Sequence, residues 1–148
     1  MHASLQLSQS TDLFPDLPAL LDTIRSAAAQ TAGQGKSFRI HGSGSHDFYG
    51  ESLQGELLET RGLKGIVQYE PSELVVTVAA GTPLHELEAA LAEQGQCLAF
   101  EPPHFQANVG NKPHSHATVG GMVAAGLSGP ARASAGAVRD FVLSLIHI

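Results

Sequence analysis

Ile40-His41-Gly42-Ser43-Gly44-Ser45-His46 is the stretch on which the reading of this chain turns. It continues Ser37-Phe38-Arg39-Ile40-His41, whose alternation predicts a short strand. Two glycines two residues apart let the backbone turn through positive φ and come close to a ligand with no Cβ in the way. Successive N–H groups in such a turn converge on one concavity, which suits a phosphate or pyrophosphate. Ser43 and Ser45 add hydroxyl donors. The plainer alternative is a glycine turn between strands, and the stretch alone does not separate the two. The dinucleotide fingerprint Gly-x-Gly-x-x-Gly, which opens a helix, is disfavoured. Its third glycine position is Asp47 here, and Phe48-Tyr49-Gly50-Glu51 is not a helical pattern.

Upstream, Leu17, Leu20, Leu21, Ile24 and Ala27/Ala28 recur at helical spacing and predict an amphipathic helix from Pro18 to Gln30, ended by Gly33 and Gly35. Downstream, Leu57-Leu58-Glu59-Thr60 is a candidate strand. Gly65-Ile66-Val67-Gln68-Tyr69 and Leu74-Val75-Val76-Thr77-Val78 are β-branched runs joined by Glu70-Pro71-Ser72-Glu73, which predicts an antiparallel hairpin. Thr82 is the expected cap of a helix with Pro83 in its first turn, Leu84, Leu87 and Leu91 on its buried face, and Gly95 as its stop.

A second glycine-rich stretch runs Ala117-Thr118-Val119-Gly120-Gly121-Met122-Val123-Ala124-Ala125-Gly126-Leu127-Ser128-Gly129-Pro130. Nearly all its side chains are small, so it can lie flat against a rigid planar ligand or pack tightly on its own sheet. Each glycine costs a helix about 1 kcal/mol relative to alanine, which suggests that close approach is required there. Helix, strand, strand pair, helix and glycine-rich turns together indicate an α+β domain with mixed sheets.

The 148 residues allow one domain with a core of its own. Apolar residues at 43% and charged ones at 15% are a globular composition. A formal net charge of -6 without a Lys/Arg cluster argues against nucleic acid or an anionic membrane as partner. The single cysteine, Cys97, rules out an intrachain disulfide and points to a reducing compartment; its apolar surroundings predict a buried structural thiol. No signal peptide and no transmembrane segment are read, so a cytoplasmic protein is expected.

The combination of these features resembles a known family. A strand feeding Gly-x-Gly-Ser, the Leu74-to-Gly81 strand with its Thr82-Pro83 helix, and Ala-Thr-Val-Gly-Gly are similar to the FAD-binding domain of the vanillyl-alcohol-oxidase type, also called PCMH-type. Leu98-Ala99-Phe100-Glu101-Pro102-Pro103-His104-Phe105, Gly126-Leu127-Ser128-Gly129-Pro130 and Gly136-Ala137-Val138-Arg139-Asp140-Phe141-Val142 narrow the resemblance to the FAD-binding subunits of glycolate oxidases. The resemblance implies that Gly42, Ser43, Gly44 and Ser45 line the FAD pyrophosphate. It further implies that Pro102 lies near the isoalloxazine ring, that Thr118, Val119, Gly120 and Gly121 run beside the flavin, and that Ser128 and Gly129 add polar contacts. Some relatives attach FAD through a histidine where this chain has Ser45, so noncovalent FAD is expected. A small 2-hydroxy acid as substrate, electron transfer to flavin and iron–sulfur partner subunits, and membrane association only through those partners are likewise implied. No catalytic base is identifiable.

Two rival functions stay open at this level. One is a reductase of the same fold acting on UDP-N-acetylenolpyruvoylglucosamine, against which Glu101-Pro102-Pro103-His104-Phe105 speaks. The other is a non-catalytic fragment unable to retain FAD, because the family's domain continues well past position 142. Within the chain, residues 1–16 are expected to be a flexible start and residues 17–142 the FAD-binding domain, incomplete at its C-terminal end. Residues 143–148 are read as a tail foreign to it, since Leu143-Ser144-Leu145-Ile146-His147-Ile148 is similar to an in-frame translation of a transposase adapter from sequencing libraries.

His104, His114 and His116, near Asn108 and Asn111, lack the ligand spacing of a zinc site and are expected on a solvated loop. The link from Gln106 to His116 is also longer than the family pattern suggests. Glu86, Glu88 and Glu93 are expected on the solvated side of the second helix.

Overall fold

A computed structural model describes residues 14–29, 36–52, 54–105, 107–109, 112–115 and 117–143, the two short strands at 107–109 and 112–115 as backbone. Helix α1 spans Leu17–Ala28, close to the range read from its apolar spacing. Phe14, ahead of it, is already buried, so packing begins inside the stretch expected to be a loose start. Strand β1 (Phe38–His41) pairs in parallel with β2 (Glu56–Glu59), setting His41 opposite Glu59. The connection between them is the glycine loop itself, and no helix follows it.

Strands β3 (Ile66–Glu70) and β4 (Val75–Val78) form the expected antiparallel hairpin, linked by a 3₁₀ turn at Pro71–Glu73. Leu74 closes that turn at φ 56, a left-handed conformation uncommon outside glycine. Helix α2 (Leu84–Glu93) buries Leu84, Leu87 and Leu91, and Gly95 at φ 67 ends it. Its N-cap position is Pro83, not Thr82, and no side chain caps it. The reason is tertiary: the Leu84 N–H donates to Ala117 O at 2.7 Å, which frees the Thr82 hydroxyl for Gly65.

Strands β5 (Ala107–Val109) and β6 (Lys112–Ser115) make a third antiparallel pair where a solvated loop was expected. His114 lies on the backbone of β6, whereas Asn111 and His116 fall outside the described residues. Helix α3 (Val119–Ala125) occupies the second glycine-rich stretch, which had been read as turns; Gly126 at φ 66 is its left-handed end. Helices α4 (Arg132–Ala135) and α5 (Val138–Phe141) follow.

The core gathers Leu84, Leu87 and Leu91 of α2, Phe100, Ala117, Val119 and Met122 of α3, and Val138 of α5, with Tyr69, Val76 and Val78 of the hairpin against it. Leu84 is fully buried, and each such leucine contributes about 1.5–3 kcal/mol. The result is an α+β fold of small sheets, parallel and antiparallel, flanked by helices. Cys97 departs from expectation and is exposed. Its neighbour Gln96 turns inward instead, accepting from Tyr69 Oη at 2.7 Å and donating to Pro71 O at 2.8 Å.

Candidate functional site

The first glycine loop leaves β1 and is held at its base by Thr60, whose N–H and hydroxyl both donate to His41 O, at 3.0 and 3.1 Å. Gly44 takes φ 73, as the Gly-x-Gly spacing suggested. Among the described residues, the N–H groups of Gly42, Ser43, Gly44, Ser45 and His46 find no protein acceptor. Within the described residues these are five consecutive donors without partners, beside a buried Ser45, and N–H groups of a glycine turn suit an anion. These residues fit a diphosphate.

The second glycine stretch meets the first. A Cβ on Gly42 would stand 2.9 Å from Thr118 Oγ1, so the loop and the start of α3 are in van der Waals contact. Strand-like pairing of Pro83 with Thr118 locks α3 to the β4–α2 connection. Val119 N donates to Thr82 O at 2.9 Å and Gly120 N to Ala80 O at 2.7 Å, while Gly121 N donates to the capping Thr118 Oγ1 at 3.2 Å. The first amides of α3 are therefore consumed inside the fold. Thr118–Gly121 can offer a ligand surface and shape, but the donors belong to Gly42–His46.

Gly120 has a packing role that the sequence did not reveal. Its missing Cβ would lie 2.9 Å from both Ala80 Cβ and Ala80 O, so its small size lets α3 approach the end of β4. Gly121, by contrast, would meet only Thr118 Oγ1, at 3.1 Å.

Pro102, Ser128 and Gly129 make a second grouping. Glu101 N donates to Ser128 O at 3.0 Å, and the Cβ direction of Gly129 is filled by Glu101. Pro102 is buried beside them. The Ser128 hydroxyl donates to Gly126 O at 3.2 Å and accepts from Val138 N at 3.0 Å, so its hydrogen bonds serve this turn. His104 Nε2 lies 3.0 Å from Glu88 Oε1, tying the Pro-Pro-His-Phe segment to α2. Among the described residues no group of His, Cys, Asp and Glu could hold a metal ion.

Four residues to which sequence reading gave no role, His41, Asp47, Glu59 and Arg61, lie together at the first loop. His41 Nδ1 is 2.7 Å from Glu59 Oε1, Arg61 Nε donates to Glu59 Oε2 at 2.8 Å, and His41 Nε2 is 3.5 Å from Asp47 Oδ2. Burial pushes the Glu59 carboxyl up, but hydrogen bonds and positive charge from Arg61 and His41 outweigh it and hold the carboxyl below its ordinary value. Parallel pairing of β1 with β2 creates this juxtaposition, and a sequence carries no local sign of it. Next to it, Ser45 Oγ is 3.1 Å from His46 Nδ1, and Phe105 meets the rings of His46 and Phe48 edge-on at 5.0 and 5.2 Å.

The FAD binding domain family matches residues 17–146, nearly the whole chain. The chain belongs to this family. A curated relative, glycolate oxidase subunit GlcE of Escherichia coli (strain K12), is 50% identical over 104 residues, which are 70% of this chain and 27% of that protein. The chain thus spans about a quarter of the length of the relative it matches. No solved structure matches it significantly. The FAD-binding domain so assigned is the PCMH type, and its α+β elements are those described above. Among the described residues no helix is long and apolar enough to cross a membrane.

Proposed function

We propose that this chain is part of the FAD-binding subunit of a glycolate (2-hydroxy acid) oxidase or dehydrogenase, working with flavin and iron–sulfur partner subunits. The observation that carries the cofactor half of this reading is the contact of Gly42 with Thr118, which brings the five open amides against the start of α3. The 50% identity to a glycolate oxidase subunit supports the reaction and the partners.

In this reading Gly42, Ser43, Gly44 and Ser45 bind the FAD pyrophosphate through backbone donors. Thr118, Val119, Gly120 and Gly121 shape the wall along the flavin, and Pro102, Ser128 and Gly129 form the adjoining turn. Bound FAD supplies the two-electron acceptor for oxidation of the hydroxy acid. The protein's residues hold and orient it. A serine at position 45 has no ring nitrogen to bond to the flavin, which supports noncovalent binding. The neighbouring His46 ring is engaged by Ser45 and Phe105. A cytoplasmic location, with membrane association through partners, completes the proposal.

The test uses the full-length protein assembled with its partner subunits. Anaerobic addition of glycolate is expected to bleach the flavin absorbance, and acid precipitation to release all the flavin into solution. Flavin that is bound but not bleached by glycolate or any other 2-hydroxy acid would refute the reaction; flavin that stays with the precipitate would refute noncovalent attachment.

A further inference from the structure

We propose that His41 is a positioning residue for the pyrophosphate loop: its ring, clamped between Glu59 and Asp47, holds the Gly42–Ser45 turn in its binding shape. This rests on the reading of that loop as the cofactor site.

The geometry comes from both sides of the ring. On the sheet side, His41 Nδ1 lies 2.7 Å from Glu59 Oε1, at the end of the β1–β2 register. Glu59 is held ionised by Arg61 and His41, so it accepts and Nδ1 carries the proton. On the loop side, Nε2 lies 3.5 Å from Asp47 Oδ2. Gly44 leaves the room for this contact: a Cβ there would stand 2.9 Å from His41 Nε2 and 3.2 Å from Asp47 Oδ2. The ring is mostly buried, whereas both carboxylates are substantially exposed.

The ring bridges the end of the β1–β2 pair to the loop, with Nδ1 at Glu59 and Nε2 at Asp47. Among the described residues, the charged groups facing it are Glu59 from β2, with Arg61 behind, and Asp47 from the loop.

The consequence is a hold on the cofactor from beneath the loop: freeing Asp47 from the ring loosens the turn, so FAD leaves faster. Asp47 is exposed, so substitutions there leave the core intact and carry the test. In the flavin-loaded full-length protein, FAD release after dilution is followed by recovery of flavin fluorescence.

Asp47→Ala should release FAD about tenfold faster than wild type. Asp47→Asn, whose amide keeps a hydrogen-bonding partner for Nε2, should release it at close to the wild-type rate. His41→Gln should match Asp47→Ala. Identical rates in wild type and Asp47→Ala would overturn the clamp while leaving the cofactor site standing. A full-length protein that binds no flavin would remove the site itself, and the clamp's role with it.

Discussion

Gly120 sits in the first turn of α3 and Gly126 just past its end, and each is glycine for a different reason. At Gly120 the backbone is helical and space is short, because Ala80 fills the Cβ position. At Gly126 space is open, with nothing within 4 Å, but φ is 66. Gly120→Ala should therefore cost about 1–3 kcal/mol through overpacking, and Gly120→Asn at least as much. Gly126→Ala should cost about 1–2 kcal/mol through backbone strain, most of it recovered by Gly126→Asn, which tolerates the left-handed region. Urea denaturation of the four variants checks this; equal behaviour of asparagine at both positions would contradict it. Gly120→Val is expected to lose FAD as well, because α3 is pushed off Ala80.

Glu59 gives a prediction in pH at the same scale. Its carboxyl is depressed in the folded protein below its ordinary 4.5. A depressed carboxyl contributes stability that is present above its unfolded value and is lost as pH falls through its folded one. The stability difference between wild type and Glu59→Gln should accordingly be seen at neutral pH and close as the solution is acidified below that range. A gap that widens on acidification would reverse the sign and exclude this account.

Among the elements, the join between the β3–β4 hairpin and α2 hangs on Thr82. Its side chain is 1% exposed, and its hydroxyl accepts from Gly65 N at 2.9 Å and donates to Gly65 O at 3.3 Å. Thr82→Val keeps the shape and strands the Gly65 N–H, while Gly65 O keeps Ala79 N as a donor, which should cost about 1–3 kcal/mol. Thr82→Ser should cost much less. Equal melting temperatures for the valine and serine variants would show that the hydroxyl does not hold this join.

Element type was legible wherever a local pattern ran undisturbed. β-Branched residues marked β3 and β4, and leucines at helical spacing marked α2. Helix α3 was hidden, because Gly120 and Gly121 read as turn. It forms because Thr118 caps it, Ala80 and Thr82 accept its first amides, and Val119 and Met122 anchor it in the core.

On the scale of the molecule, the described strands form three separate pairs, and large apolar side chains stay exposed: Ile40 of β1 is 72% exposed, and Phe48, Tyr49 and Leu74 in the connections are also open. In the proposed reading the amides of the glycine loop offer donors along one side of a diphosphate, on a chain matching 27% of its relative. The 148-residue chain purified by itself is therefore expected to carry little flavin, and the full-length protein to be yellow. The visible spectra of both decide this, and stoichiometric flavin in the short chain would show that these residues suffice.

The family, the hairpin, the α2 core face and the Gly-x-Gly turn were determined by residue order alone, since each depends on spacing within a few positions. Tertiary structure decided which of those residues meet. It set Thr118 against Gly42, Ala80 under Gly120, and Glu59 beside His41, because such contacts join segments far apart in sequence and leave no periodic trace. It also decided which polar groups are used: Ala80 and Thr82 of the β4–α2 connection take up the first amides of α3, whereas among the described residues those of Gly42–His46 find no protein acceptor.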